Sequence, residues 1–189
     1  MRPSYERDVF PGVRVEQLIA EVSWLEVTPV RRECFMAESP TNYTYGSGRG
    51  ARTYESTPYH PAVAQVQQHL NETLDCRYNV CFLNYYRDEK QHLGWHADDT
   101  PGMLHSHPIA VVSLGAPREI WWRRTNLGHP SLHEVGTVPP ERRQLLESGS
   151  LFIMPAGFQQ LYHHRIPKAD RPCGPRVSLT FRRYEPEAP

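Results

Sequence analysis

A chain of 189 residues, 39% hydrophobic and 22% charged, is long enough to form one globular domain with a substantial core. Its 21 acidic and 21 basic residues give a formal net charge of +0, which excludes a strong overall attraction to nucleic acids or membrane surfaces. Nearly all of the basic residues are arginine, so a local site for carboxylates or phosphates remains compatible with the neutral total.

The sequence carries no feature of a secreted or membrane protein. No apolar run approaches the roughly 18 residues of a membrane span, and the N-terminus lacks the apolar centre of a signal peptide. The 4 cysteines show no paired spacing that would indicate a disulfide framework. We therefore expect a soluble, cytoplasmic monomer with reduced cysteines and no membrane partner.

After a loose arm, the sequence up to residue 76 predicts two short amphipathic helices that cover a sheet. Apolar residues recur with a period near 3.6 over residues 13–24 and again over 61–76. Residues 26–36 are predicted to be extended. The aromatic, glycine-rich stretch 40–56 is typical of an exposed loop or hairpin.

The rest of the chain is dominated by short strands separated by proline and glycine. Many short strands with this punctuation favour a β-sandwich or a jelly roll, mainly β with flanking helices. The polar residues 126–140 are predicted to form a loop. The predicted strands cover residues 80–86, 109–114, 119–123, 150–154 and 176–182.

The H-x-D sequence at His96 and Asp98 is the first indication of chemistry. Alternate side chains of an extended strand leave the same face, so an imidazole and a carboxylate at this spacing can bind one ion. A second histidine would complete the two-histidine, one-carboxylate face of non-haem Fe(II) oxygenases. By itself the pattern is more typical of an ordinary polar loop, so it needs support from the rest of the chain.

The third ligand is expected from two adjacent histidines, His163 and His164, just past an apolar strand. Neighbouring side chains of an extended backbone point to opposite faces, so only one can reach the metal. We favour His164 and keep His163 as the alternative. A cupin-like site using His105 and His107 is disfavoured, because no suitably placed glutamate follows it.

The last predicted strand alternates polar and apolar residues. Its apolar face should fill the core, while Arg176, Ser178 and Arg182 face either the inside of a barrel or solvent. Two arginines on one face suit a dicarboxylate, since each charge-assisted hydrogen bond contributes on the order of 1.5–3 kcal/mol where water is excluded. Asn84 and Tyr86 alternate on an earlier strand and would add an amide and a phenol to this pocket.

Taken together, five motifs resemble the AlkB family of Fe(II)/2-oxoglutarate dioxygenases in order and spacing. They are N-x-Y from Asn84, H-x-D from His96, P-I-x-x-V-S-L-G from Pro108, H-x-I-P-K from His164 and R-x-S-L-T-F-R from Arg176. Each motif is short, but the ordered set covers most of the chain. The resemblance implies a single double-stranded β-helix (jelly roll) domain over the whole chain.

The resemblance also assigns roles. His96, Asp98 and His164 are implied to bind Fe(II) and to form the catalytic centre. Arg176 is implied to pair with the far carboxylate of 2-oxoglutarate. Tyr86 and Asn84 are implied to help Arg176, and Arg182 to lie near the keto-acid end of the cosubstrate. Ser178 is implied to contact the cosubstrate as well. Many relatives have asparagine where this chain has Ser178, so that support would be less direct.

In such a domain, residues 1–40 would form an N-terminal arm and helix, and residues 41–60 a nucleotide-recognition lid. Tyr54 is expected to stack on a flipped base opposite His96, with Tyr45 nearby. Such stacking contributes about 1–3 kcal/mol per base, which would offset much of the cost of flipping. Asp99 resembles an acidic residue that reads the exocyclic amine of the base in some relatives.

The implied activity is oxidative demethylation of 1-methyladenine and 3-methylcytosine in DNA, using Fe(II), O2 and 2-oxoglutarate and releasing succinate and formaldehyde. The same oxygenase chemistry on RNA, on a protein or on a small molecule is the first alternative. A non-enzymatic binding protein with the same β-fold is the second. The sequence assigns no role to the bulky Trp95.

Overall fold

The computed structural model describes residues 2–45, 51–125 and 141–185. The predicted loop 126–140 and the centre of the predicted 40–56 hairpin lie outside these ranges. The helices are α1 (Val15–Glu21), α2 (Pro61–Leu74) and α3 (Phe158–Leu161). The strands are β1 (Ser4–Glu6), β2 (Leu25–Thr28), β3 (Arg31–Ala37), β4 (Asn42–Tyr45), β5 (Arg52–Glu55), β6 (Val80–Tyr86), β7 (Leu93–His96), β8 (Ile109–Gly115), β9 (Arg118–Arg124), β10 (Arg142–Leu146), β11 (Ser150–Met154), β12 (Tyr162–Ile166) and β13 (Arg176–Arg182).

Two antiparallel sheets form the body of the protein, and a small hairpin of β4 and β5 lies beside them. The larger sheet has the order β1-β11-β8-β13-β6-β3-β2, and the smaller one the order β10-β9-β12-β7. From β6 to β13 the chain passes back and forth between the two sheets, with β9 and β10 as the one consecutive pair in the same sheet, as in a double-stranded β-helix. The predicted fold class, a mainly β jelly roll with flanking helices, is confirmed.

The helices cover the outer face of the larger sheet, as the sequence predicted. Val63 and Leu70 of α2 and Leu18 of α1 belong to the same buried cluster as Leu179 and Phe181 of β13. Helix α1 is shorter than predicted, because Val22 is already extended and the backbone leaves the helix there. Among the described residues, no helix has the length and hydrophobicity that a bilayer span requires.

Strand β13 lies in the middle of the larger sheet, between β8 and β6, and every one of its residues is buried. Its apolar side chains face the helices, and its polar side chains face the space between the two sheets. The alternative left open by the sequence is thus decided in favour of the barrel interior. The core is continued between the sheets by a second apolar cluster, which includes Ile109, Ile120 and Phe152.

The two adjacent histidines follow the apolar strand β11, as predicted, and lie on a further strand, β12, that was not predicted. Between β11 and β12 the chain forms the single helical turn α3, after the left-handed Gly157. This short turn brings the chain from the larger sheet to the smaller one, and such a turn leaves no periodic signal in the sequence.

Trp95 has a structural role on the outer face of the smaller sheet. The guanidinium carbons of Arg123 and Arg165 lie 4.3 and 4.6 Å from the centre of its ring, within the range of cation–π attraction. Arg165 also lies 4.4 Å from the ring of Trp121. These side chains come from β7, β9 and β12, so they tie together the three strands that frame His96 and His164.

Replacing Trp95 by leucine should therefore destabilise the smaller sheet. Two partly exposed cation–π contacts contribute about 0.5–1 kcal/mol each, and lost packing adds to this, for a total of about 1–3 kcal/mol. At about 2–4 °C per kcal/mol, the melting temperature measured by circular dichroism should fall by several degrees. Arg124→Ala, an exposed change on β9, is the control and should leave it unchanged. Equal melting temperatures for Trp95→Leu and the wild type would contradict this role.

Candidate metal centre and cosubstrate pocket

His96 and His164 are directly opposite each other on neighbouring antiparallel strands. They are paired in the register of β7 and β12, and the centres of their rings lie 4.1 Å apart. Directly opposed side chains on one face of a sheet are the closest cross-strand neighbours, which explains how residues 68 positions apart meet. His163 has the opposite parity on β12 and points away from this pair.

Asp98 completes the group from two residues beyond the end of β7. Its Oδ1 lies 3.8 Å from Nε2 of His96, and its Oδ2 lies 3.9 Å from Nε2 of His164. The backbone N–H of Asp98 donates a 3.0 Å hydrogen bond to Oε1 of Gln159 in α3. This bond holds the chain in place after the strand has ended, so the carboxylate still faces the histidines.

Arg182 at the end of β13 neutralises Asp98 from the larger sheet. One of its terminal nitrogens donates a 2.7 Å hydrogen bond to Oδ1 of Asp98, and both side chains are buried. Oδ2 of Asp98 is buried without a hydrogen-bond partner among the described residues. The sequence placed Arg182 near the keto-acid end of the cosubstrate. The structure places it against Asp98, with Nε and Nη1 still unpartnered.

The electrostatics of this group favour metal binding. Burial lowers the pKa of both histidines, to about 3 for His164, so both imidazoles are neutral at pH 7. Burial alone would raise the pKa of Asp98, but Arg182 and the two imidazoles outweigh it and hold that pKa at about 2. Two neutral nitrogen donors and one carboxylate are the protonation states that a divalent metal requires.

The tautomer of His96 is also fixed for coordination. Its Nδ1 lies 2.9 Å from the carbonyl oxygen of Gly94, which can only accept, so Nδ1 carries the proton. The lone pair is therefore on Nε2, the atom that faces Asp98 and His164. Orientation of a ligating histidine by a backbone carbonyl is a common feature of metal sites.

One possible ligand atom from each of His96, Asp98 and His164 lies within 4.8 Å of the others. Within the described ranges no other such group of three histidine, cysteine or carboxylate side chains occurs, so His105 and His107 do not form the alternative site. Together with the unpartnered Oδ2 of Asp98, the donor set fits an Fe(II) ion bound by three protein ligands.

Arg176 provides an anion site deeper between the sheets. The residue is fully buried, its Nε donates a 2.9 Å hydrogen bond to Oγ of Ser113 on β8, and the guanidinium packs 5.2 Å from the ring of Tyr86. Both terminal nitrogens and the hydroxyl of Tyr86 are buried without partners among the described residues. Burial lowers the pKa of Arg176 to about 10, so the group remains charged at neutral pH.

A buried cation with two free parallel donors is suited to bind a carboxylate in a bidentate manner. Asn84 and Ser178 lie between this site and the metal ligands, because Arg176 pairs with Tyr86 and Ser178 with Asn84 in the register of β13 and β6. The structure thus brings together all five residues that the sequence assigned to the cosubstrate.

The aromatic side chain beside His96 belongs to Tyr45, not to Tyr54 as the sequence predicted. The rings of Tyr45 and His96 are 6.0 Å apart and nearly perpendicular. Tyr54 is buried elsewhere: its hydroxyl donates a 2.7 Å hydrogen bond to Glu33, and its ring packs edge-on against Phe82. The two tyrosines are on opposite strands of the hairpin, and register, which the sequence does not show, decides between them.

Asp99 and Thr100 lie next to the metal group but face different ways. Asp99 is exposed, so its carboxylate faces solvent and is not buried with the metal ligands. Thr100 is buried and its hydroxyl donates a 3.2 Å hydrogen bond to the hydroxyl of Tyr43.

Four supporting residues were not identified from the sequence. Each is polar, buried and held by a residue that is distant in the chain, so no local pattern could reveal it. Ser113 alone belongs to one of the sequence motifs, although its contact with Arg176 was not expected. The four are Arg31, Ser113, Arg118 and Gln159.

Comparisons with known proteins agree with this geometry. A family profile described as the 2OG-Fe(II) oxygenase superfamily matches residues 10–182. The human protein named alpha-ketoglutarate-dependent dioxygenase alkB homolog 3 is 31% identical over 179 residues, covering 92% of this chain and 61% of that protein. The human DNA oxidative demethylase ALKBH2 is 28% identical over 154 residues, covering 81% of this chain and 56% of that protein.

A solved structure of OsALKBH1 has the same fold, with a TM-score of 0.58 at 20% sequence identity; the match covers 96% of this chain and 99% of that one. This likeness concerns the fold alone. The chain spans about 61% of the length of the human alkB homolog 3 and 56% of that of ALKBH2.

Adjacent histidines on β12 allow a matched test of the third ligand. His164→Gln should weaken binding of Mn(II), measured by calorimetric titration, by more than about 100-fold, because it removes one of three ligand atoms. His163→Gln changes the same residue type one position away and should bind Mn(II) as the wild type does. Equal losses in both variants, or a loss in His163→Gln alone, would show that the ligand is assigned wrongly.

Proposed function

The chain belongs to the 2OG-Fe(II) oxygenase superfamily and, within it, to the AlkB family, and we propose that it is an oxidative demethylase of N-alkylated bases in DNA. Its substrates would include 1-methyladenine and 3-methylcytosine. One observation carries the proposal: the three metal-binding side chains lie between an anion site at Arg176 and an aromatic side chain, Tyr45, that contacts His96.

In this proposal His96, Asp98 and His164 hold Fe(II). When bound, Fe(II) activates O2 so that 2-oxoglutarate is decarboxylated to succinate and the N-alkyl carbon of the base is oxidised. The protein contributes by placing neutral imidazoles and an ionised carboxylate around one position before the metal arrives. Arg182 keeps Asp98 ionised without occupying its second oxygen.

Arg176 would hold the far carboxylate of 2-oxoglutarate. Its two terminal nitrogens have no other partner among the described residues, and the hydroxyl of Tyr86 adds a third donor. The remaining donors of Arg182 and the amide of Asn84 would bind the keto-acid end. A dicarboxylate extended along β13 would therefore satisfy buried groups that are otherwise unpaired, each of which costs about 1–3 kcal/mol.

The base would enter beside Tyr45. With the two ring centres 6.0 Å apart, Tyr45 contacts His96 directly and leaves no space for a third ring between them. An incoming base must displace Tyr45, after which the phenol ring can stack on it. Asp99, whose side chain is exposed, would accept a hydrogen bond from an exocyclic amine of the base.

The last step requires little from the protein. Oxidation of the N-methyl carbon gives an N-hydroxymethyl group, whose C–N bond breaks as the hydroxyl proton is lost. The products are formaldehyde and the unmodified base, and the ring nitrogen recovers its electron pair. No water molecule needs to be added in this breakdown.

The direct test is to measure formaldehyde and succinate released from an oligonucleotide that contains 1-methyladenine. Release should require the protein, iron and 2-oxoglutarate together, and His96→Ala should lower it by more than about 100-fold. Methylated DNA, methylated RNA and unmethylated DNA are compared in parallel. No formaldehyde from any methylated strand would contradict the proposed activity, and release from RNA alone would move the substrate to RNA.

A second test separates the cosubstrate site from the metal site. Arg176→Met should weaken 2-oxoglutarate binding by about 100-fold, since it removes two charge-assisted hydrogen bonds, and should leave Mn(II) affinity unchanged. Both affinities are measured by calorimetry. Arg183→Met serves as the control, because Arg183 contacts the exposed Glu185 and has no part in the pocket. Undiminished 2-oxoglutarate binding in Arg176→Met would exclude the proposed role.

A further inference from the structure

Arg31 is a buried cation that none of the roles above uses. It is only 7% exposed and lies at the start of β3, next to β6. Its Nε donates a 2.7 Å hydrogen bond to Oδ1 of Asn84, and one of its terminal nitrogens is paired with Glu33. We propose that Arg31 is a positioning residue, which fixes the amide of Asn84 for 2-oxoglutarate and connects it, through Glu33 and Tyr54, to the β4–β5 hairpin.

The orientation of the Asn84 amide follows from the chemistry of Arg31. A guanidinium can only donate, so the amide atom that faces it must be the oxygen. The NH2 group of Asn84 must then point the other way, into the cavity that Asn84 shares with His96, Asp98 and Arg182. A donor in this position suits a carboxylate or keto oxygen. Without Arg31 the amide could rotate by half a turn and present its oxygen instead, which would repel a carboxylate.

Glu33 holds Arg31 in place. It is fully buried and lies directly opposite Asn84 in the register of β3 and β6. Oε1 faces Arg31, and Oε2 accepts the hydrogen bond from the hydroxyl of Tyr54. A fully buried carboxylate requires partners of this kind, so the ion pair and the phenol bond together compensate for the water that Glu33 has lost.

Tyr54 extends this chain of contacts to the hairpin. It is on β5, directly opposite Tyr43 and one residue pair from Asn42 of β4. Tyr45, at the other end of the same hairpin, is the side chain that an incoming base must displace. A shift of the hairpin would therefore act on both Tyr45 and the Tyr54–Glu33 bond, and through Arg31 on the amide of Asn84.

The inference rests on the proposed function, since it assumes that the pocket takes 2-oxoglutarate and that the hairpin covers the base. Thermodynamic linkage makes the coupling between the base site and the 2-oxoglutarate site reciprocal. If a bound base, by moving the hairpin, changes the affinity for 2-oxoglutarate, then bound 2-oxoglutarate changes the affinity for the base by the same factor. Tyr54 would thus act as an anchor that couples the two sites and not as the stacking side chain.

The test is a calorimetric titration of the Mn(II)-loaded protein with 2-oxoglutarate, without oxygen, so that binding is read without turnover. Arg31→Met should weaken binding about tenfold, and Arg31→Lys, which keeps the charge but not the fixed fork, should recover part of the loss. Tyr54→Phe should weaken binding about threefold. Mn(II) affinity should be unchanged in all three.

Tyr184→Phe is the matched control. Its hydroxyl donates a 3.0 Å hydrogen bond to the carbonyl of Asn42 on the same hairpin but does not contact Glu33. It should lose similar stability to Tyr54→Phe and keep wild-type affinity for 2-oxoglutarate. Equal affinities in Tyr54→Phe and Tyr184→Phe would overturn the coupling, even if Arg31→Met did not fold.

Failure of the proposed function and failure of the positioning role of Arg31 would give different results. A wild-type protein that binds Mn(II) but no 2-oxoglutarate would contradict the proposed function itself. Wild-type binding that is retained in full by Arg31→Met would contradict only the positioning role of Arg31.

Discussion

The opposition of His96 and His164 across two antiparallel strands is the constraint on which the site depends. The pairing of β7 with β12 places the two imidazoles on one face, and a shift of one residue would turn both away from each other. The register of the smaller sheet is therefore essential to the site, and contacts beyond its backbone hydrogen bonds stabilise it. This one alignment is stabilised by the arginine and tryptophan contacts on the outer face of the sheet, by the apolar cluster inside it and by the hydrogen bond that the backbone N–H of Asp98 donates to Gln159.

The larger sheet supplies the charges that the smaller one lacks. Strand β13 carries Arg176 and Arg182 on its inner face, one at each end, and both are buried. Arg182 is paired with the carboxylate of Asp98, whereas Arg176 has no acidic partner among the described residues. Buried charge without a partner is costly, and a fold retains it where a ligand supplies the counter-charge. The burial of Arg176 is thus best explained by a bound ligand that supplies the counter-charge.

Features with a local period could be predicted from the sequence. The alternation of β13, the helical stripes that became α1 and α2, and the H-x-D spacing each indicated an element or a face. His164 was favoured over His163 only through parity and resemblance. Features set by contacts between distant residues could not be predicted. The choice of Tyr45 over Tyr54 depends on hairpin register, Arg31 meets Asn84 only across β3 and β6, and Trp95 gains its role from arginines on two other strands.

The most direct measurement is a crystal structure of the protein with Mn(II) and 2-oxoglutarate, prepared without oxygen, with the ion located by its anomalous scattering. The account predicts one ion bound by Nε2 of His96, Nε2 of His164 and an oxygen of Asp98, with the far carboxylate of 2-oxoglutarate on Arg176. An ion bound at any other residues, or a carboxylate held away from Arg176, would contradict it.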